Sequence, residues 1–128
     1  MTGVIGVDTT FLIDYFYGKS DAVEFMKNYF KLIRISELVI YEFLCGNLTI
    51  NERDTFLKAI QSFPSVELNR EAILISSDIF RKGKQLGTPI GHQDSLIAGS
   101  YVASGIKSLV TRNTKHFSKI KEIQTINY

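Results

Sequence analysis

Three carboxylic acids stand where a charged side chain is unusual. Asp8 directly follows the apolar run 4–7, Glu42 lies in the most apolar helical segment, and Asp94 opens an apolar helical stretch. Carboxylates in apolar surroundings are almost never left unpaired. Three of them about 5 Å apart repel by roughly 3 kcal/mol a pair at an effective dielectric of 20, or roughly 10 kcal/mol in all. A folded domain's whole stability is of that order, so such a cluster needs protons or cations.

A hard divalent cation with oxygen ligands supplies the missing charge. Mg²⁺ suits few carboxylates best because it keeps several waters, and Mn²⁺ also accepts oxygen ligands. Such an ion can hold a scissile phosphate and activate water for in-line attack. The three acids therefore point to phosphodiester hydrolysis, provided that they meet in the fold. Each also has a plainer reading: Asp8 as a helix cap, Glu42 on a solvent-facing stripe, and Asp94 as a first-turn acid.

The elements that must position these acids alternate along the chain. Apolar runs predict strands at residues 4–7, 32–35, 66–68, 106–110 and 123–126, with helices between them. This order predicts an α/β fold with a central parallel sheet covered by helices on both faces. Such sheets bind ligands outside the carboxyl ends of their strands, where Asp8 is expected.

Helix boundaries follow from capping residues and breakers. Gly18 ends the first helix, and four polar residues are expected to begin the next ones: Ser20, Ser36, Asn51 and Asn69. These helices are predicted over residues 21–30, 37–46, 51–63 and 70–87, followed by one over 93–104 and a short one around His116.

Composition narrows the class of protein. The chain has 128 residues, 45% apolar and 22% charged, with a net charge of +2, and is expected to form one domain over residues 1–128. Cys45 is the one cysteine, which excludes an internal disulfide and a cysteine-based zinc site, and it is expected to be buried. The apolar stretches are too short to span a membrane, and no signal peptide is recognisable, which favours the cytoplasm.

Basic residues cluster in two segments. Arg112, Lys115, Lys119 and Lys121 crowd the C-terminal part with His116, and a second group consists of Arg81, Lys82 and Lys84. The overall charge is too mild to indicate a nucleic-acid binder by itself. Both groups are also consistent with ordinary solvated faces.

Four segments resemble, in order, the four motifs of PIN (PilT N-terminal) domains: residues 7–14, 36–46, 94–98 and 109–117. The resemblance implies a three-layer α/β/α fold and a metal-dependent endoribonuclease. It also implies that Asp8, Glu42 and Asp94 are the catalytic acids that bind Mg²⁺ or Mn²⁺. The compact length is most similar to VapC-type toxins of toxin–antitoxin pairs. That likeness implies an RNA substrate, a homodimer, and an antitoxin partner whose C-terminal segment blocks the active groove.

One departure from the family pattern concerns the last motif. Members often carry a fourth acid there, at the position of Asn113 or of His116, and here neither is acidic. The lower charge puts the number of metal ions in question more than the class of activity. Asn113 can still hydrogen-bond a metal-bound water or orient Asp8. His116 is either a phosphate or metal contact or a surface residue in a basic turn.

Four further residues are candidates for supporting roles. Thr9 and Thr111 follow strand ends and can hydrogen-bond the acids, although ordinary turn capping explains them equally well. Arg112 and Lys115 are the basic residues expected to contact the RNA backbone.

Two other functions fit the same pattern. A non-catalytic RNA- or partner-binding module on this scaffold is favoured by the missing fourth acid. A receiver-like signalling domain would use Asp8 as a phosphate acceptor, since fold does not dictate function. Against the latter, no paired acids stand beside Asp8 and no lysine ends the last strand.

Overall fold

A computed structural model describes residues 3–128, and its core is a five-stranded parallel sheet. The strands follow the spatial order β3-β2-β1-β4-β5. Their bounds are β1 (Ile5–Val7), β2 (Ile33–Ser36), β3 (Ser65–Val66), β4 (Ser108–Val110) and β5 (Gln124–Ile126). Helices complete a three-layer α/β/α arrangement, which confirms the fold class predicted from the order of elements.

The helices connect successive strands. They are α1 (Thr9–Phe16), α2 (Ser20–Tyr29), α3 (Glu37–Leu44), α4 (Ile50–Ile60), α5 (Arg70–Gln85), α6 (His92–Ala103) and α7 (Thr114–Phe117), with a 3₁₀ turn at Phe30–Leu32. None of the helices within residues 3–128 combines the length and the apolar character needed to cross a lipid bilayer.

Capping explains three of the helix boundaries that the sequence predicts. The Ser36 side chain accepts a hydrogen bond from the Leu38 amide at the start of α3, and Asn69 accepts one from the Ala72 amide at the start of α5. Gly18 has a φ of +78°, the left-handed conformation that turns the chain after α1.

Two predicted caps are wrong. Ser20 is the first residue of α2, and Lys19, which precedes it, makes no side-chain capping bond. Helix α4 is capped by Thr49 rather than opened by Asn51. Thr49 and Glu52 form a reciprocal capping box that satisfies two otherwise unpaired amides, and this arrangement outcompetes a single asparagine cap.

Strand β1 lies at the centre of the sheet, where the order of the strands reverses. It pairs with β2 on one side and with β4 on the other. Asp8 directly follows β1, Ser36 closes β2, and Thr111 directly follows β4. The carboxyl ends of these three neighbouring strands therefore meet at one edge, where parallel sheets of this kind form a ligand crevice.

Helix α6 is held in place by a close crossing with α5. A Cβ atom at Gly99 would lie 2.8 Å from the Cα atom of Ser76, so only glycine permits this approach. The crossing fixes the position of α6, whose first turn carries Asp94.

Tyr101 on α6 links the two central strands. Its buried hydroxyl accepts hydrogen bonds from the amides of Val7 at 3.1 Å and Ser36 at 3.0 Å, and donates one to the Val7 carbonyl at 2.5 Å. In the part of the chain that the structure describes, β1 and β2 pair as far as Gly6 and Arg34, and the hydroxyl bonds to the amides of Val7 and Ser36 beyond that point. The ring covers Gly6, where an added Cβ atom would lie 2.7 Å from it.

Replacing Tyr101 with phenylalanine is expected to lower the free energy of unfolding by about 2–4 kcal/mol, because two buried amides lose their acceptor. Urea unfolding followed by circular dichroism measures the change. The matched control is Tyr29→Phe, a half-buried tyrosine whose hydroxyl makes no hydrogen bond within residues 3–128. Equal midpoints for the two variants would show that the Tyr101 hydroxyl does not join the strands.

Candidate active site

A cleft of about 420 Å³ contains all three acids singled out from the sequence. Asp8, Glu42 and Asp94 all line it, although they come from the end of β1, from α3 and from the first turn of α6. Thr9 and Asn113 line the same cleft. The fold thus brings together side chains that are far apart along the chain.

Asp8 is almost completely buried and is bonded through both carboxylate oxygens. Oδ1 accepts from the Phe11 amide at 2.9 Å, which makes Asp8 the cap of α1, and Oδ2 accepts from the Thr111 hydroxyl at 2.5 Å. Burial raises the pKa of the Asp8 carboxyl from 3.8 to about 6, although these two hydrogen bonds oppose the shift. The negative charges of Asp94 and Asp14 account for smaller parts of this rise in the pKa. Asp8 is therefore both a helix cap and a carboxylate at which a positive charge is favoured.

Glu42 lies half-buried on α3 and reaches back toward β1. Its Oε1 atom accepts a hydrogen bond from the Thr9 hydroxyl, the residue directly after Asp8. Thr9 thus holds the carboxylate of α3 against the first turn of α1.

Asp94 faces the last motif. Its Oδ2 atom lies 3.3 Å from Nδ1 of His116, and that nitrogen lies 3.5 Å from Nδ2 of Asn113. The backbone N–H of Asn113 donates to the Thr111 hydroxyl oxygen at 2.8 Å. The segment after β4 therefore contacts both Asp8, through Thr111, and Asp94, through His116.

The donor set of the cleft is made of oxygen atoms, as a hard divalent cation requires. Within residues 3–128, however, no three His, Cys, Asp or Glu side chains stand close enough to hold one ion jointly. Glu42 is bonded to Thr9, and Asp94 is paired with His116. Mg²⁺ is usually bound through one or two carboxylates and retains several waters. The residues therefore fit a hydrated ion better than a closed cage of side chains.

Arg112 lies outside the cleft. Its guanidinium group is 3.8 Å from Asp14 and 3.9 Å from Asp21, and it stacks over the Tyr128 ring at 4.7 Å from the ring centre. The Tyr128 hydroxyl also donates to Asp14 at 2.6 Å. These contacts anchor the segment between Thr111 and Asn113 to α1 and α2.

Lys115, the other basic residue expected at the RNA backbone, is exposed on α7. It is not part of the cleft lining.

Sequence reasoning missed other residues that line the cleft: Thr10, Tyr41, Cys45, Ile97 and Phe117. Gln93, which the sequence offered either as a substrate contact or as a solvated loop residue, also lines it. Cys45 was expected to be buried, and that expectation is wrong, because it lies exposed at the end of α3. Its spacing carried a signal, since a residue three positions after Glu42 shares its helix face. Gln93 immediately precedes Asp94. The ring of His92, by contrast, stacks on the ring of Phe80, with 4.2 Å between the two ring centres.

Comparison with known proteins agrees with this arrangement. The model of the PIN domain family matches residues 5–123. Ribonuclease VapC3 of Methanocaldococcus jannaschii is 30% identical over 95 residues, which cover 74% of this chain and 95% of that protein.

Solved structures share the fold. A chain of the DNA-bound VapBC of Salmonella typhimurium superposes with a TM-score of 0.85 at 21% identity, covering 98% of both chains. A chain of VapBC2 of Rickettsia felis, bound to a promoter DNA fragment, gives a TM-score of 0.83 at 18% identity over 98% of both chains. The family match spans nearly the whole chain and contains all three acids of the cleft. The protein belongs to the PIN-domain family.

Proposed function

We propose that this protein is an endoribonuclease that hydrolyses RNA phosphodiester bonds with the help of Mg²⁺ or Mn²⁺, and that it is the toxin of a toxin–antitoxin pair. The observation that carries the proposal is the convergence of Asp8, Glu42 and Asp94 in one cleft at the carboxyl edge of the sheet. The family match and the ribonuclease relative support the same reaction.

Asp8 and Asp94 are the residues that would hold the metal ion, with Glu42 beside them. Asp8 is the strongest candidate because its buried carboxylate lies near the negative charge of Asp94. A bound divalent ion supplies charge neutralisation for the phosphate and lowers the pKa of an attacking water.

Hydrogen bonds from backbone and side-chain groups of the chain orient these acids. The Phe11 amide and the Thr111 hydroxyl fix the Asp8 carboxylate in one rotamer, and Thr9 fixes Glu42. Asn113 offers an amide N–H₂ group that can donate to a phosphate oxygen or to a metal-bound water. The fourth acid of the family pattern stands at the position of Asn113 or of His116, and since neither is acidic here, the cleft repels a phosphate less.

We also propose a cognate antitoxin as partner, a homodimeric state and a cytoplasmic location. A chain with a TM-score of 0.79 and 22% identity comes from a toxin–antitoxin complex of Klebsiella pneumoniae. Co-expression with the product of the adjacent reading frame tests the partner, and inhibition of RNA cleavage is the expected result.

Removing any one carboxylate charge is expected to lower kcat/KM by at least about 100-fold, the cost typical of losing one electrostatic contact to the transition state. The variants Asp8→Asn, Glu42→Gln and Asp94→Asn keep the size of each side chain. Single-turnover cleavage of a labelled RNA in Mg²⁺ or Mn²⁺ measures the effect, and a chelator is expected to abolish the activity of the parent.

The matched control is Asp54→Asn, which removes an exposed acid of α4 outside the cleft and is expected to leave the rate unchanged. Parental rates in all three cleft variants would refute the assignment. RNA binding without turnover in any divalent metal would instead identify a non-catalytic binding module.

Metal binding is expected to weaken as the pH falls through about 6, because protonated Asp8 must lose its proton before it can bind a cation. The pKa of Asp8 is raised, so the proton competes at a pH where an ordinary aspartate is fully ionised. Below pH 6 the apparent Kd for Mn²⁺ should rise by up to about tenfold per pH unit. Electron paramagnetic resonance of free Mn²⁺, titrated between pH 5 and 8, measures it.

His116 needs a control because its Nδ1 atom lies 3.3 Å from Oδ2 of Asp94, one of the proposed metal ligands. The variant His116→Gln is expected to retain the pH dependence, and Asp8→Asn is expected to lose it together with most of the affinity. A pH dependence that disappears in His116→Gln would assign the effect to the histidine instead.

A further inference from the structure

A second cavity, of about 390 Å³, lies between the C-terminal end of α5 and the segment that follows α7. Three lysines line it, Lys82 from α5 and Lys119 and Lys121 from the segment after α7, and we call it the lysine cavity. Among residues 3–128, Glu122 is the one carboxylate that lines it, so these side chains give the cavity a net positive charge. Lys82 and Lys119, which belong to the two basic clusters and stand 37 residues apart in sequence, line the same cavity.

The three lysines are available to an external anion. All three are exposed, and none takes part in an ion pair within residues 3–128. Ile90 contributes a buried apolar surface to the cavity, and Leu86 leaves 76% of its surface exposed at the rim. Free ammonium groups around an apolar floor suit a ligand that alternates phosphates with less polar sugars and bases.

The lysine cavity is close to the cleft along two separate chain segments. In the first segment, Gln93 lines the cleft and Ile90, three residues before it, lines the cavity. In the second segment, Phe117 lines the cleft and Lys119, two residues after it, lines the cavity. With consecutive Cα atoms 3.8 Å apart, these paired positions lie within roughly 11 Å of each other. Neighbouring phosphates along one strand of a duplex are spaced by about 3.4 Å, so about three nucleotides are enough to cover this distance.

We propose that the lysine cavity binds the phosphate backbone of the RNA substrate, a few nucleotides to one side of the scissile bond. The inference rests on the proposed function and names a substrate-binding surface for the same reaction. Lys82, Lys119 and Lys121 contact phosphates away from the reacting atoms, so they bind ground state and transition state equally. Such uniform binding lowers KM and leaves kcat unchanged.

The first test measures RNA affinity in the triple variant Lys82→Gln/Lys119→Gln/Lys121→Gln. A labelled single-stranded 12-mer is titrated in a chelator, which prevents cleavage, over a range of KCl concentrations. The slope of log Kobs against log[salt] changes by about 0.7 for each phosphate contact of a single strand. The triple variant is expected to lose about 2 units of that slope together with affinity.

A second triple variant is the matched control: Lys27→Gln/Lys31→Gln/Lys58→Gln. It removes the same charge from exposed lysines that line neither the cleft nor the lysine cavity. Its salt dependence is expected to stay close to that of the parent. Equal losses of RNA affinity and of salt-dependence slope in the two triple variants would show that net charge alone explains the effect, and they would overturn the proposal.

The second test separates substrate contact from structural damage. With the 12-mer, the lysine-cavity variant is expected to raise KM about tenfold and to change kcat by less than about twofold. With a dinucleotide, whose single phosphodiester is the scissile bond, parent and variant are expected to cleave equally. A matching loss on the dinucleotide would show an effect on the active site itself and contradict the proposal.

Two other outcomes distinguish the proposals. Parental RNA binding and cleavage by the lysine-cavity variant would refute the subsite and leave the ribonuclease assignment standing. This result combined with lost binding of polyglutamate would assign the cavity to an acidic protein instead. If the parent itself neither binds nor cleaves RNA, the proposed function fails, and the subsite fails with it.

Discussion

The hydroxyl of Tyr101 connects every element that carries an acid of the cleft. It belongs to α6, seven residues after Asp94, and it bonds to the end of β1 next to Asp8 and to Ser36, which begins the helix of Glu42. Buried amides must find an acceptor, and here one phenol serves two strands at the point where their own pairing stops. The relative positions of the three acids therefore depend on a residue that does not itself line the cleft.

Electrostatics explains why this arrangement is suited to a cation. Burial alone favours the neutral form of Asp8, and the neighbouring acids act in the same direction. Hydrogen bonds from Thr111 and the Phe11 amide oppose that effect, so the carboxylate is held in place and can ionise near neutral pH. A cation is thus favoured where the strand ends meet, which is also where the fold leaves open space.

The basic residues lie in two different environments, one ion-paired and one open to solvent, and a count of charges does not distinguish them. Arg112 is occupied by Asp14, Asp21 and the Tyr128 ring, and it anchors the segment that carries Thr111. The lysines of the lysine cavity make no ion pair with any residue from 3 to 128 and lie a few residues along the chain from the cleft lining. In the proposed enzyme, the ion-paired arginine serves positioning, and the unpaired lysines serve binding of the polyanion.

The sequence by itself determined the alternation of strands and helices, the parallel sheet, and the acids Asp8, Glu42 and Asp94, because apolar periodicity and misplaced charges are local signals. It did not fix the cap of α4, where two competing local motifs differ by small energies. Only the tertiary structure decided that Cys45 and Gln93 line the cleft, that Arg112 is withdrawn from it, and that two distant lysine clusters form one cavity. Those outcomes depend on contacts between segments remote in sequence, such as those of Arg112 with Asp14 and Asp21, and such contacts leave no periodic trace in the chain.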